Sequence, residues 1–267
     1  MFKTIQNAWK VPDLRKKILF TLMVIIVFRI GSVIPVPFID PSALKEMLTG
    51  ESGLNAIIAN LDMLSGGGFS TATLFAMSVS PYITASIVMQ LLTVAIPPLE
   101  RLSKEGDEGR KKIAKLTRYV TVILGIVQGT GYYFMLRNGQ GIVKYTSGFS
   151  GIFVATIIVL SFTAGTALLM WLGEQVNKYG IGNGISILLF AGIVSRMPVT
   201  LSQLWKLFND AINSPESSAQ YFALVPLFLI VFLATVWIIV FMNDAERRIP
   251  IQYAKRMVGR KMYGGQN

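Results

Sequence analysis

Apolar and polar positions alternate in long blocks along this chain. Six apolar runs stand out, at 18–34, 74–96, 120–136, 152–172, 185–199 and 222–242. About 20 apolar residues in helical form cross a bilayer, so the pattern predicts six membrane helices, the fifth a short one. Polar segments separate them: 38–53 after the first run, a highly charged stretch at 99–118 after the second, a very short turn at 173–184, and 200–220 before the sixth. Pro35 and Pro37 close the first run, and Pro97-Pro98 closes the second. One further pattern is shorter. Leu54, Ile57, Ile58, Leu61 and Leu64 recur at helical spacing, with Asn55, Ala59 and Asp62 on the opposite side. This piece is amphipathic and too short to span. It breaks at Ser65-Gly66-Gly67-Gly68 before the second run begins. A half-length helix hinged by glycines onto a spanning helix fits a channel or transporter, because irregular backbone in a membrane survives only where protein buries it or water lines it. An external loop with one surface helix ahead of an ordinary span is the competing reading, and the pattern alone leaves both open.

Composition agrees with a polytopic membrane protein. Hydrophobic residues make up 52% of the 267 and charged residues only 15%, against about 25% charged in soluble domains. There is no cysteine and no histidine, which removes disulfides, thiolate metal sites and the usual general base. The basic lead 1–17 followed by an apolar run resembles a signal peptide in outline, but no small-x-small cleavage site precedes Pro35, so the first run reads as a retained helix. The net charge of +11 has a topological explanation. If the N-terminus is cytoplasmic, the inside segments hold 19 Lys and Arg and the outside segments hold 5, with Arg29 inside the first run. That asymmetry is a positive-inside signal and puts both ends of the chain in the cytoplasm. It also removes nucleic acid as the reason for the basic balance.

Several motifs invite a sharper reading. Gly180-Ile181-Gly182-Asn183-Gly184 looks like a phosphate loop, yet it joins two membrane helices where such a loop follows a strand of an α/β unit, so a tight turn is expected. Small residues in the second and fourth runs fit close helix packing. Gln90 is a large amide well inside a span and needs protein or water beside it. The runs show no charged pair, and Arg29 stands alone, which argues against an ion-coupled carrier and leaves a passive pore open. Residues 243–267 carry six cations interleaved with Ile249, Ile251, Met257, Val258 and Met262. They suit either a lipid-headgroup patch or a docking surface for a cytosolic partner.

The segments RIGSVIPVP, GGGFS, SPYITASIVMQLL, EGDEGRKKIAKLTRY, GIGNGISILLFAGIV and ERRIPIQYAKRMVGRKMYGGQ, in that order, resemble the SecY family of bacterial protein-conducting channels along the whole chain. The resemblance implies an all-α membrane protein. Its six transmembrane helices and a short plug helix would form the N-terminal portion (1–267) of an inverted-repeat channel fold, with no catalytic activity, cofactor or metal. It implies passage of unfolded secretory polypeptides across the bacterial plasma membrane and sideways release of membrane proteins into the lipid bilayer. The drive would come from the SecA motor or the ribosome, and SecE and SecG would accompany the chain. Carried over residue by residue, the plug is 56–64, with Ala56, Ile57, Ile58, Leu61 and Leu64, and its hinge is Gly66, Gly67 and Gly68. The pore ring is Val79 and Ile83 with Ile185 and Leu189, each pair at i, i+4 spacing. Thr84 and Gln90 match the polar side of a lateral gate, one wall of which is the second and third spans. The segment 243–267 matches the docking loop for SecA or the ribosome, through Arg247, Arg248, Lys255, Arg256, Arg260 and Lys261. The family's second, inverted half is not among these motifs, so a second chain or segment is expected to carry the remaining helices. Half of a secondary transporter is the alternative class, since carriers also use inverted repeats and broken helices.

Overall fold

A computed structural model of the chain describes residues 9–44, 62–139, 141–145, 147–213, 215–246, 256–258 and 261–263. Helices dominate: α1 (Pro12–Gly31), α2 (Ser80–Ala95), α3 (Pro97–Lys104), α4 (Asp107–Asn138), α5 (Gly148–Tyr179), α6 (Gly184–Asn213) and α7 (Pro215–Asp244). A two-stranded antiparallel hairpin, β1 (Arg256–Val258) with β2 (Lys261–Tyr263), lies in the basic segment. Four described helices are long and apolar enough to cross a membrane, namely α4, α5, α6 and the 221–244 part of α7, and α2 with α3 makes a fifth if counted as one bent span. The helix α1 falls outside that criterion. Arg15, Lys16 and Lys17 crowd its start and Arg29 its last turn, so no long window of it is free of charge.

Local signals set the ends. A proline in the first turn starts α1, α2 and α3, where its missing N–H leaves no hydrogen bond unmade. Ile96 precedes two prolines and is extended, so α2 stops there and α3 leaves at 100°. Asp107 and Glu108 begin α4 and Arg137 ends it, each sign facing the favourable pole of the helix dipole. The Asn183 carboxamide oxygen accepts the amides of Ile185 (3.0 Å) and Ser186 (3.4 Å), capping α6. Asn177 Oδ1 accepts the Gly184 amide at 2.7 Å, and Gly182 has φ +69. The GIGNG motif is thus a tight turn closed by its own Asn183 and by Asn177 of α5. A Cβ on Gly184 would come within 2.1 Å of the Gly173 carbonyl oxygen, so glycine is what lets α5 and α6 meet there.

The chain forms two compact units, 1–199 and 200–267. In the first, α4 packs along α5 and α2 packs on α4. The face of α4 turned inward is nearly free of bulk: Gly109, Thr117, Thr121, Gly125 and Gly129, then Tyr132 and Leu136. Gly125 looks onto Thr163, and Gly129 onto Val159 and Phe162. Five threonine hydroxyls in these helices turn back onto their own backbone. Thr117, Thr121, Thr130, Thr156 and Thr163 each donate to the carbonyl four residues earlier, at 2.7–2.9 Å. In the second unit Phe208 stacks on Phe222 at 5.8 Å, and α7 leaves most of its apolar surface uncovered.

Two elements differ from the expectation. Residues 74–79, expected to open the second span, continue the series of turns at 69–79, and the helix starts only at Ser80. Hydropathy registers burial, and this stretch is buried: Phe69, Ala72, Phe75, Ala76 and Val79 lie in the core without being helical. Positive φ at Ala72 and Ser78 and a bridge between Pro35 and Thr73 fold it back on itself. The polar connection expected at 200–220 is largely helix, because α6 runs on to Asn213.

Candidate functional site

The segment 62–79, helical at 62–64 and then a series of turns, is an irregular part of the first unit, and two arginines hold its beginning. Asp62 is 7% exposed. Its carboxylate accepts the Ser70 amide at 2.7 Å and pairs with the Arg196 guanidinium of α6. Arg196 also donates to Ser70 Oγ at 3.3 Å. From the last turn of α1, Arg29 donates to the Gly66 carbonyl (3.4 Å) and to Ser195 Oγ (3.1 Å). Inside the turn, Ser65 Oγ donates to the Asp62 carbonyl (3.1 Å) and accepts the Phe69 amide (2.9 Å), and Ser78 Oγ donates to the Leu64 carbonyl (3.0 Å). Each buried polar group here has its partner, as a low-dielectric site requires. Arg29 is therefore not alone, contrary to the sequence-based expectation, and Arg196, inside the apolar run 185–199, pairs with Asp62, which lies outside the runs. In the sequence Asp62 falls on the polar side of an amphipathic helix. Its partner lies 134 positions away, so helical periodicity could not reveal the pairing.

The glycines also behave differently from a free hinge. Gly66 and Gly67 have φ of +67 and +95, which few other residues adopt. A Cβ on Gly66 would lie 2.9 Å from Ser195 Oγ, one on Gly67 2.8 Å from Arg196 Nη2, and one on Gly68 2.6 Å from Thr73 Oγ1. They are packing positions against α6 and the following turn, and they do not adjoin α2.

Val79, Ile83, Ile185 and Leu189 come together. All four belong to one apolar cluster with Val24, Phe28, Phe75, Leu169, Leu172, Val176 and Leu188. Val79 caps the N-terminus of α2, and its carbonyl accepts the Ile83 amide at 3.1 Å. Val79 (1% exposed) and Ile185 (9%) are buried, whereas Ile83 and Leu189 are partly open. Thr84 and Gln90, in contrast, are separated. Thr84 lines a cavity of about 500 Å³ between α2 and α4 with Phe69, Ser80, Gln128 and Tyr132. Gln90 lines another of about 470 Å³ with Arg110, Thr117 and Glu174, beside the 2.6 Å pair of Arg118 and Glu174. Gln128 was missed in the sequence, although a lone amide within an apolar run was the signal that singled out Gln90. Of the plug residues, Ala56, Ile57, Ile58 and Leu61 lie outside the described residues, and Leu64 is half-buried. Of the docking residues, Arg247, Arg248, Lys255 and Arg260 lie outside them, and Arg256 and Lys261 fall in the hairpin strands. No cluster of metal-ligating side chains occurs among the described residues.

A family model for SecY matches residues 73–267. The chain belongs to the SecY family. It is 44% identical over 270 residues to the protein translocase subunit SecY of Streptomyces coelicolor, covering 99% of this chain and 60% of that one. It is 43% identical to SecY of Bacillus subtilis, covering 99% and 59%. The chain thus spans about three-fifths of the length of these SecY relatives. Among solved structures, one described as a protein conducting channel superposes with a TM-score of 0.59 at 22% identity, over 98% of this chain and 57% of that one. Sec61 in a canine ribosome-channel complex gives 0.57 at 22%, over 87% and 51%. In this chain the apolar cluster is drawn from α1, the turn segment, α2, α5 and α6, and the two arginines that hold the turn segment stand on α1 and α6.

Proposed function

We propose that this chain is the N-terminal portion of a protein-conducting channel that passes unfolded secretory polypeptides through the bacterial plasma membrane and releases membrane helices into lipid. The observation that carries the reading is the SecY match along 99% of the chain. The geometry supports it. A channel for arbitrary sequences needs a constriction that binds none of them, and aliphatic groups such as Ile83 and Leu189 exclude ions because nothing there replaces a hydration shell. It also needs a separate element to close it, and the segment leading through Leu64 into the glycine turn is that element. Thr84, Ser80 and Gln128 give the α2–α4 wall a polar strip on which an exiting helix can rest its own polar groups. SecA or a translating ribosome supplies the drive through 243–267, SecE and SecG complete the complex, and the remaining helices come from a further segment or chain. Both ends of this chain face the cytoplasm.

Proteoliposomes holding the chain with its remaining helices and SecE test the proposal. Import of a secretory precursor should require SecA and ATP. The Asp62–Arg196 pair is the one feature that favours the carrier alternative, since carriers place carboxylates inside membranes. Saturable uptake of a small solute without SecA, and no precursor import, would establish that reading instead.

A further inference from the structure

Neither Asp62 nor Arg196 belongs to the apolar cluster or lines either cavity, and closing a pore does not explain the pair. What it joins is specific. Asp62 opens the turn segment, and Arg196 stands on α6 one residue beyond Ser195, which holds Arg29 of α1. Between them the α6 backbone comes very near: a Cβ on Gly192 would lie 3.0 Å from the Leu64 carbonyl oxygen. The segment 62–70 therefore sits on a short face of α6, Gly192 to Arg196, fixed by one ion pair and steadied by Arg29 through the Gly66 carbonyl. If 62–70 moved off that face, the buried Asp62 carboxylate would lose the Arg196 guanidinium that compensates its charge. Losing one partner of such a pair is far more costly than never having built it. Arg29 would keep Ser195 and Ser32, its remaining acceptors.

We propose that Arg196 is the positioning residue of the closing segment. The Asp62–Arg196 pair is a latch, and 62–70 leaves α6 only when that pair is opened. The proposal rests on the reading of this chain as a channel with a pore-closing segment, but its test does not. The chain has no cysteine, so a single introduced thiol in it reports unambiguously. Ser65 is fully buried, and Ser65→Cys changes one atom. In the assembled channel carrying Ser65→Cys, the labelling rate by a membrane-impermeant maleimide measures how often the segment is unseated. Asp62→Asn and Arg196→Gln should each raise that rate about tenfold or more, while Arg196→Lys, which keeps the charge, should stay within about threefold of the parent. Equal rates in all four proteins would overturn the latch, and so would Lys and Gln behaving alike, which would make Arg196 a packing group only. Resting ion conductance in the same vesicles separates the two readings. Faster labelling with unchanged conductance keeps the latch and removes the pore-closing role. Leakage that follows labelling supports both.

Discussion

Single atoms decide several positions in this protein. A Cβ on Gly165 of α5 would fall 2.0 Å from the Leu74 carbonyl oxygen, which is backbone and cannot step aside. Gly131 on α4 has nothing within 4 Å of the same point. Gly165→Ala should therefore lower stability by about 1–3 kcal/mol or more through overpacking, while Gly131→Ala should be neutral or stabilise by up to about 1 kcal/mol. Thermal unfolding of the two variants in detergent measures the difference. The ring positions divide by burial in the same manner. Val79→Asp buries an unpaired carboxylate and should cost about 3 kcal/mol or more, appearing as loss of folded protein. Ile83→Asp and Leu189→Asp sit at partly open positions, and should fold and leak ions at rest. Ile87, 52% exposed, should tolerate Asp without a leak. Expression level paired with single-channel conductance tests all four. A folded Ile83→Asp channel that stays tight to chloride removes Ile83 from the ring.

At the scale of elements, the triple substitution Gly66→Ala/Gly67→Ala/Gly68→Ala distinguishes a hinge from a packed turn. A glycine hinge running into α2 would lengthen that helix on substitution. The structure predicts no lengthening, because eleven residues of mostly buried turn (69–79) separate the glycines from Ser80. The cost should fall instead on two positive φ values and three close contacts. Helical content by circular dichroism should stay level or drop while resting ion leakage rises. An increase in helicity would restore the hinge. The sequence made most elements legible because membrane helices announce themselves by length and apolarity. It failed where apolarity and helix part company. Phe69 to Val79 is apolar because it is buried among α1 and α5, and nothing local in it states that Gly31 and Gly165 leave room for Phe75 and Leu74. The extension of α6 was legible, since Leu201, Leu204, Trp205 and Phe208 follow helical spacing, but the polar residues between them hid it. The ring was legible as two i, i+4 pairs, whereas the arginine contacts, made across the chain, were not.

For the whole molecule, the decisive link is between the membrane part and the basic segment 243–267. If that segment docks SecA, Arg247→Glu/Arg248→Glu should weaken SecA-driven import about tenfold or more while leaving membrane insertion of the chain intact. Import kinetics and SecA affinity at parental levels would reduce it to a headgroup patch. The threonines have a consequence of another kind. Because Thr117, Thr121, Thr130, Thr156 and Thr163 satisfy themselves within their own helices, these five hydroxyls enter lipid already paired, whereas Tyr132 of α4 depends on the Phe69 carbonyl and Arg118 of α4 on Glu174 of α5. Along most of their length α4 and α5 then recognise one another by shape, small residues meeting small residues, with the Arg118–Glu174 pair as a charged clasp between them, and the order in which they are synthesised need not be the order in which they mate.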